Sequence, residues 1–467
     1  MLRLFKQYYP IRNVFFVIGE GLFIYAAFLA ASWITLDGGL FFSDSMMFLK
    51  IFFVTFVCQA CLYYNDLYDF NIIVSFNELG MRLLQALGVA TIIVAFSYII
   101  FPDTIIGKGI FIVSILFVLL LVVSWRFCYA LVLNRGFFNQ KILLLGSGEL
   151  LADIKQAIAD RQDCGYSIEA EFPEKNVDRG PDIRDVKNPD LRCGERYEGL
   201  ASIAKYMGIK KIVAAFKERR QAFPTKELLN CRVEGIKVIE GNTFYEMLTG
   251  KVIVKQLHPS WLIFSEGFQK SRLRLLGKRI GDLIISFLML IVLLPLIIIT
   301  AVLIKLDSKG PVFFSQERLG EKRKKYLMHK FRSMVTDAEK ECGPVWATDD
   351  DCRITRVGRI IRKFRIDEIP QLWNVLKGEM SFVGPRPERE FFVRDLEKEI
   401  PFYGIRFTVK PGLTGWAQVC YNYGASLEDA FEKLNYELFY IKNMSPWMDL
   451  LIIMRTIKIV LFGKGAR

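Results

Sequence analysis

An aspartate and a glutamate stand side by side in KFRIDEIPQLWNVLKGEMSFVGPRPERE, the stretch that begins at Lys363. A block of Arg and Lys precedes Asp367 and Glu368, and Arg386 follows between two prolines. A carboxylate held among cations stays ionised, and an ionised Asp can ligate Mg²⁺ or attack a phosphorus centre. Helix neighbours point about 100° apart, so the two carboxylates would do different jobs toward one site. The alternative is a pair of solvated charges that balances the Arg block, and local physics favours that alternative.

The composition indicates a membrane protein with an anionic partner. Of 467 residues, 52% are hydrophobic, and the formal net charge is +13. Such a charge suits an acidic membrane surface, a nucleic acid or a phosphorylated substrate. The two histidines, His258 and His329, argue against multi-His metal sites and Ser-His catalysis. Nine Cys without metal-type spacing fit domains that face a reducing compartment.

Four stretches near the start of the chain reach the roughly 20 apolar residues that span a bilayer. Glu20 and Lys50 interrupt them and are expected to face a neighbouring helix or to snorkel. Basic residues precede the first stretch and follow the fourth, whereas the loop at 36–44 has two Asp and no Lys or Arg. The positive-inside rule therefore places both ends of the bundle in the cytoplasm. The four stretches are about 14–36, 46–64, 83–101 and 109–133.

An α/β pattern follows the four stretches. Lys141–Leu145 predicts a buried strand, Gly146-Ser147-Gly148 a tight turn, and the residues from Glu149 a helix. Further strands are predicted at Lys211–Phe216 and Ile236–Ile239, so a Rossmann-like domain over roughly 139–255 is expected. The G-x-G lacks the third Gly of a dinucleotide site, and no acidic residue ends the second strand. A structural or regulatory domain is therefore favoured over a cofactor-binding one.

A fifth apolar run extends from Lys278 to Asp307 and carries Pro295 near its middle. Proline removes a helix hydrogen bond and predicts a kink or break. If the run spanned the bilayer, the basic, soluble-looking remainder of the chain would lie outside the cell. If the helix entered, broke at Pro295 and returned, that remainder would stay cytoplasmic. The physical chemistry of the sequence alone favours neither the spanning nor the re-entrant arrangement.

Cations recur at helical spacing just before Asp367, with Ile and Val on the opposite face. This pattern predicts an amphipathic helix in the membrane interface, with its cations toward lipid phosphates. An ordinary surface helix is the alternative. Nucleic-acid binding is disfavoured because no nucleic-acid-binding motif accompanies the helix. The cations are Arg353, Arg356, Arg359, Arg362 and Lys363.

Four motifs in one order carry a family resemblance: GPVFFSQERLG, KFRSM, RIDEIPQLWNVLKGEMSFVGPRPE and KPGLTGWAQV. Together they resemble the bacterial sugar transferase family, the polyprenyl-phosphate sugar-1-phosphate transferases or monotopic phosphoglycosyl transferases. The match covers Lys278 to the C-terminus, and the whole layout is similar to the family's long form. The tail is similar to the subgroup associated with exopolysaccharide and exosortase (PEP-CTERM) loci. The resemblance implies a membrane protein of α plus α/β class, with a four-helix transmembrane bundle, a Rossmann-like domain and a mostly helical monotopic catalytic domain.

The resemblance also implies a reaction. Sugar-1-phosphate passes from a UDP-sugar to undecaprenyl phosphate with Mg²⁺, UMP is released, and exopolysaccharide repeat-unit assembly begins. Asp367 would be the nucleophile and a metal ligand, Glu368 its partner carboxylate, and Arg386 would hold substrate phosphate. Weaker candidates for lining the site are Arg332, Gln316 and Arg318. The family's membrane element is a re-entrant helix, which makes Pro295 its break.

The implied domains are residues 1–135 (transmembrane), 139–255 (Rossmann-like), 256–277 (linker) and 278–467 (catalytic, with a re-entrant helix at 281–304). The implied location is the bacterial inner membrane, multi-pass, with the catalytic domain on the cytoplasmic face. A homodimer is left open, and Glu437 departs from the family's usual Asp. One alternative is a membrane-bound NAD-dependent nucleotide-sugar dehydratase. The other is a non-catalytic scaffold of a polysaccharide assembly complex.

Overall fold

The computed structural model describes residues 2–4, 7–9, 11–35, 46–68, 76–106, 110–134, 139–161, 164–172, 197, 199–216, 223–257, 262–263, 265, 267–336, 353–421, 424 and 426–462. The loop at 36–44 and the acidic run at 349–351 lie outside these residues. Apart from the first few residues, the chain forms two compact units, Tyr8–Phe244 and Tyr245–Arg467. The domain limits inferred from the sequence stay predictions.

Helices dominate the described residues, and five of them are long and apolar enough to cross a membrane. Length and composition thus make the chain compatible with a membrane-associated protein. The five are Arg12–Thr35, Met47–Tyr64, Asn77–Ile100, Val113–Leu131 and Arg272–Asp307. The elements of the first unit are β1 (Leu2–Leu4), β2 (Gln7–Tyr9), α1 (Ile11–Thr35), α2 (Met47–Tyr64), α3 (Phe76–Ile100), α4 (Ile110–Asn134), β3 (Gln140–Gly146), α5 (Glu149–Ala159), β4 (Tyr166–Phe172), α6 (Leu200–Tyr206), β5 (Lys211–Ala215), α7 (Thr225–Val233), β6 (Lys237–Glu240) and the start of α8 (Gly241–Thr249).

Helices α1 to α4 share one hydrophobic core. Within it, Glu20 of α1 is fully buried and forms a 2.7 Å ion pair with Arg126 of α4. Arg126 also donates to the carbonyl oxygen of Leu67 at 2.8 Å. A charged residue in an apolar helix is tolerated when a neighbouring helix supplies its partner, as expected for Glu20.

A four-stranded parallel sheet follows, in the order β4-β3-β5-β6. The three strands predicted from the sequence coincide with β3, β5 and β6, whereas β4 was not predicted. Gly146 ends β3 at φ +120°, and a Cβ there would lie 2.0 Å from the carbonyl oxygen of Ala215, so only glycine fits. The Rossmann-like assignment of this region stays a prediction.

The second unit carries the carboxylate pair. Its two-stranded sheets are the antiparallel pair β7–β8 and the parallel pair β9–β10. Its elements are the 3₁₀ turn Val254–Gln256, α9 (Arg272–Asp307), β7 (Phe313–Leu319), the 3₁₀ turn Glu321–Arg323, β8 (Lys325–Phe331), α10 (Arg356–Lys363), the 3₁₀ turn Ile366–Glu368, α11 (Gln371–Lys377), β9 (Ser381–Val383), α12 (Glu390–Glu399), the 3₁₀ turn Tyr403–Thr408, β10 (Gly412–Thr414), α13 (Trp416–Cys420), α14 (Leu427–Asn443) and α15 (Pro446–Phe462).

Helix α9 runs through Pro295 without interruption. The kink or re-entrant break predicted at this residue stays a prediction, because a chain can remain helical on both sides of a bend. A proline removes a single N–H donor, and that loss does not end a helix whose other turns are packed and apolar. Re-entry into the same face of a bilayer is a separate question, and it stays a prediction.

One face of α9 packs on the second unit along the length of the helix. Its first half contributes Ile285, Met289 and Leu293 to one core, and its second half contributes Ile304 to another. The other face is apolar and exposed. A continuous exposed apolar face of this length is typical of contact with lipid or a partner. Its residues are Phe287, Leu288, Ile291, Val292, Leu294, Ile298, Ile299 and Val302.

Polar contacts tie the start of α9 to the elements around the carboxylate pair. Arg279 donates to the carbonyl oxygens of Val375 and Leu376 at 2.6 and 2.7 Å, at the end of α11. Asp282, buried, accepts from the Ser381 hydroxyl at 2.8 Å and from the Phe382 N–H at 3.1 Å. The helix thus holds the segments on both sides of residues 378–380.

We expect Asp282→Asn to be tolerated and Asp282→Leu to destabilise the unit. The Asn oxygen can accept from Phe382, while its amide donates to Ser381, whose hydroxyl already reaches the Val383 carbonyl at 3.0 Å. Leu leaves the buried Phe382 N–H without an acceptor, which costs about 1–3 kcal/mol. Thermal unfolding in detergent measures both variants, and equal losses for Asn and Leu would contradict this account.

Candidate functional site

The carboxylate pair lies on a 3₁₀ turn, Ile366–Glu368, directly after α10. Arg365 starts the turn in the left-handed conformation, at φ +54°. A non-glycine residue in that region is strained and persists where surrounding contacts hold it. Helix α10 is shorter than the predicted amphipathic stretch, and its Ile361 is buried whereas Ile360 is exposed.

Glu368 is buried, with 7% of its surface exposed, and cations surround its carboxylate. Arg386 and Lys330 approach Oε1 at 2.9 and 3.1 Å, and Arg365 lies 3.7 Å from Oε2. Burial alone would raise the pKa of Glu368, but the charges of Arg386, Lys330 and Arg365 outweigh burial and lower that pKa below its usual range. Glu368 is therefore ionised at neutral pH and is a weak proton acceptor.

Asp367 is equally buried, with 8% of its surface exposed, but its environment differs. Among the described residues its carboxylate forms no ion pair within 4 Å, whereas Lys330 and Arg386 pair with Glu368. Burial raises the pKa of Asp367, the Glu368 charge raises it further, and Lys330 opposes both. The two neighbours thus have opposite pKa shifts, an arrangement frequent at functional sites.

Hydrogen bonds to four consecutive main-chain carbonyl oxygens hold the segment that carries Arg386. Gly412 donates to the Pro385 carbonyl oxygen at 2.8 Å, and Arg406 donates to that of Arg386 at 2.7 Å. Arg318 donates to the Pro387 carbonyl oxygen at 3.2 Å, and Leu319 to that of Glu388 at 3.1 Å. Two prolines cannot donate, so these carbonyl contacts replace the missing strand pairing.

The structure brings three of the predicted site residues together, namely Asp367, Glu368 and Arg386. Gln316 and Arg318 are linked to these three only indirectly. Arg318 donates to the carbonyl oxygen of the residue after Arg386 and to the Gln316 side chain at 2.7 Å. Arg332 does not join them. Its buried guanidinium donates to the carbonyl oxygens of Ser308 and Lys309 at 2.7 and 3.2 Å, where α9 ends.

Sequence reasoning missed Lys330 and Arg365 as site residues. Strand alternation offers a signal for Lys330, because it shares the face of β8 that buries Tyr326 and Met328. A Lys on an inward face requires a carboxylate partner. Arg365 carries no comparable signal, since its position follows from a backbone turn.

Comparison with known proteins relates the chain to one family. Residues 273–463 match the family model for bacterial sugar transferases. A UDP-N-acetylgalactosamine-undecaprenyl-phosphate N-acetylgalactosaminephosphotransferase from Aeromonas hydrophila is 44% identical over 240 residues, 51% of this chain and 56% of the relative. A UDP-galactose-lipid carrier transferase from Erwinia amylovora is 29% identical over 376 residues, 77% of this chain and 76% of the relative.

A shorter relative is covered almost entirely. This Bacillus subtilis (strain 168) protein, named as a candidate undecaprenyl-phosphate N-acetylgalactosaminyl 1-phosphate transferase, is 45% identical over 153 residues, 33% of this chain and 82% of the relative. The chain spans about half the length of the Aeromonas relative. It spans 37% of an undecaprenyl-phosphate glucose phosphotransferase from Komagataeibacter xylinus, which is 42% identical over 197 residues, 41% of this chain.

We expect Arg332→Met to lower the free energy of unfolding by about 3 kcal/mol, because charge-assisted hydrogen bonds to the end of α9 are lost. Arg332→Lys keeps a positive charge but not the forked donors, so its loss should be smaller. Thermal unfolding in detergent provides the measurement, with Arg359→Met on the exposed face of α10 as the control. Unchanged stability of Arg332→Met would refute the capping role.

Proposed function

Because the chain belongs to the bacterial sugar transferase family, we propose that it transfers sugar-1-phosphate from a UDP-sugar to undecaprenyl phosphate and releases UMP. The reaction would be the first step of exopolysaccharide repeat-unit assembly. The relatives' names cite N-acetylgalactosamine, glucose and galactose, so they do not select a sugar for this chain.

One observation carries the proposal. Asp367 is buried beside a cluster of cations, but its carboxylate forms no ion pair within 4 Å among the described residues, whereas Lys330 and Arg386 pair with Glu368. A desolvated carboxylate without its own counter-ion is more reactive than one in an ion pair, and the cations next to it suit a phosphorylated substrate. Burial alone would not distinguish a catalytic from a structural carboxylate, but structural ones are paired.

The proposed chemistry has two displacements at the β-phosphorus. In the first, a carboxylate oxygen of Asp367 bonds to phosphorus, the bond from phosphorus to the bridging oxygen breaks, and UMP leaves. In the second, a phosphate oxygen of undecaprenyl phosphate bonds to the same phosphorus, the bond to Asp367 breaks, and the carboxylate is restored. Phosphoryl transfer of this kind depends on positioning and charge stabilisation more than on acid–base groups.

Arg386 suits the role of holding substrate phosphate, because its guanidinium is partly exposed and its planar donors match phosphate oxygens. The role proposed for Glu368 is to fix Arg386 and Lys330 in place. Its lowered pKa does not suit a proton acceptor. Arg318 and Gln316 support the segment after Arg386 rather than reach the pair directly.

Asp367 suits a magnesium ion that substrate phosphates bind as well. Among the described residues no group of three or more His, Cys, Asp or Glu could hold a metal. Mg²⁺ commonly binds through one or two carboxylates plus substrate phosphates, and Asp367 offers such a carboxylate. Bound there, the ion would neutralise phosphate charge, while Arg386 and Lys330 orient the substrate.

The proposed location is the cytoplasmic face of the bacterial inner membrane, where both substrates are available. Both ends of α9 contact the second unit, through Asp282 at one end and Arg332 at the other. A helix that crossed the bilayer would separate those contacts onto opposite sides. Re-entrant insertion, with the exposed apolar face in lipid, keeps them together.

We predict that Asp367→Asn lowers turnover by about a thousandfold or more, because the amide is not a nucleophile. The assay measures UMP release by the full chain in nanodiscs with undecaprenyl phosphate and a panel of UDP-glucose, UDP-galactose and their N-acetylated analogues. Asp395→Asn, on an exposed turn of α12, is the matched control and should keep full activity.

A second readout detects the covalent step. Label from UDP-sugar carrying ³²P at the β-phosphorus should appear on the wild-type protein in the absence of lipid, and not on Asp367→Asn. If Asp367→Asn kept UMP release, the catalytic role would fail and a scaffold would become the better interpretation. Tightly bound NAD in the purified protein would favour the dehydratase instead.

We further predict a pH dependence. Burial raises the pKa of Asp367 to about 6, and only the ionised form can attack, so the rate should fall as pH drops through about 6. The measurement is single-turnover UMP release at subsaturating UDP-sugar, without lipid, because a lipid phosphate monoester itself titrates near pH 6.

Magnesium provides the control for this titration. A metal that binds the carboxylate competes with the proton, so higher Mg²⁺ should move the midpoint to lower pH. A pH midpoint that does not change with the Mg²⁺ concentration would argue against Asp367 as a metal ligand. A rate that stays flat from pH 5 to 8 at low Mg²⁺ would argue against Asp367 as the titrating nucleophile.

A further inference from the structure

A buried ion pair lies directly behind Arg386, outside the residues assigned so far to the reaction. Arg406, in the 3₁₀ turn Tyr403–Thr408, is 6% exposed, and Glu437 of α14 is 4% exposed. Their guanidinium and carboxylate meet at 2.8 Å. Burying two charges is costly, so the contacts that this pair makes beyond itself indicate its use.

Both members of the pair contact the main chain of Arg386. Arg406 donates to the Arg386 carbonyl oxygen at 2.7 Å. The carboxylate of Glu437 faces the Arg386 N–H; burial raises the pKa of this carboxylate, and the interaction with that N–H lowers it. A single ion pair thus contacts both main-chain groups of one residue, and the side chain of that residue bonds Glu368 at 2.9 Å.

A small cavity lies beside the turn that carries Arg386. Its volume of about 10 Å³ is close to that needed for one water, and it borders Gly384, Pro385 and Arg386. Glu437 and Trp416 also line it. Hydrogen bonds to the Arg386 main chain therefore add to packing in setting the position of this turn.

The elements that carry the pair are themselves well anchored. Helix α14 starts with a capping box formed by Ser426 and Asp429, and it contributes Leu434 and Leu438 to the main core of the second unit. Arg406 is oriented by a further hydrogen bond to the Tyr403 hydroxyl. Glu388 is the other charged group close enough to influence both members of the pair.

We propose that Arg406 and Glu437 are positioning residues that set the guanidinium of Arg386 for the reacting phosphate by holding its main chain. The proposal rests on the proposed function. Neither residue touches the carboxylate pair, so each acts through Arg386. Glu437→Gln removes the charge that pairs with Arg406 and replaces one of the two acceptor oxygens by a donor, so it weakens the hold on Arg406.

The test is a double-mutant cycle on single-turnover UMP release by the full chain, with enzyme in excess. We expect Glu437→Gln to slow release about 10- to 100-fold in the wild-type background, the range for a small displacement of a positioning group. In the Arg386→Ala background the same change should slow release less than twofold, because the group that it positions is already absent. Arg406→Lys should behave in the same way and takes the place of Glu437→Gln if that variant does not fold.

Glu246→Gln is the matched control. Glu246 is also buried and also pairs with a cation of α14, Lys442, at 2.7 Å, but it has no contact with Arg386. It should lower the unfolding temperature and leave the rate of release unchanged. Equal slowing by Glu246→Gln and Glu437→Gln would overturn the proposal, because general destabilisation would then explain both.

Two results separate this proposal from the proposed function. If the wild-type protein released no UMP, the proposed function would fail before the cycle could be read. If wild-type release depended on Asp367 but Glu437→Gln slowed it equally with and without Arg386, only the positioning role would fail. No change in either background would overturn the positioning role as well.

Discussion

The ion pairs of the Glu368 carboxylate are the interaction on which the arrangement of the candidate site depends. It is buried, and three cations from separate segments compensate its charge: Lys330 from β8, Arg365 before the 3₁₀ turn and Arg386 after β9. Without the cation of any one segment, the buried charge of Glu368 would be less well compensated in a low-dielectric environment, which is costly. Asp367 forms no ion pair of its own among the described residues, and burial outweighs the charges of Lys330, Arg362 and Arg386, so the pKa of this carboxylate is raised. The different roles proposed for Asp367 and Glu368 thus follow from one electrostatic arrangement.

Helix α9 gives that arrangement its place relative to the membrane. Near its start, Arg279 holds the end of α11 and Asp282 holds β9, and these two segments lie between the carboxylate pair and Arg386. At its end, Asp307 accepts from the Val357 N–H of α10 at 3.0 Å. The elements before and after the pair are therefore fastened to one apolar helix. Its exposed face, rather than a flexible linker, would set the depth of the site.

Local patterns predicted the elements better than the contacts. The apolar runs and the strands at β3, β5 and β6 follow from composition and periodicity, and the ordered motifs predicted Asp367, Glu368 and Arg386. That the chain stays helical on both sides of Pro295 could not be predicted, because it depends on how both halves of α9 pack. The position of Lys330 depends on which face of β8 turns inward, and that of Arg332 depends on where α9 ends, and both require the fold.

The lowered pKa of Glu368 changes what this carboxylate can contribute. As a proton acceptor it would be weak, whereas as an ion it fixes two cations beside the reacting phosphate. In the proposed reaction neither attacking group carries a proton at neutral pH: Asp367 attacks as a carboxylate, and a phosphate monoester is largely doubly ionised above its second pKa of about 6. No step then needs a general base. A site with Lys330, Arg365 and Arg386 around one of its two carboxylates is then sufficient for both displacements, and the burial of Glu368 serves positioning rather than proton transfer.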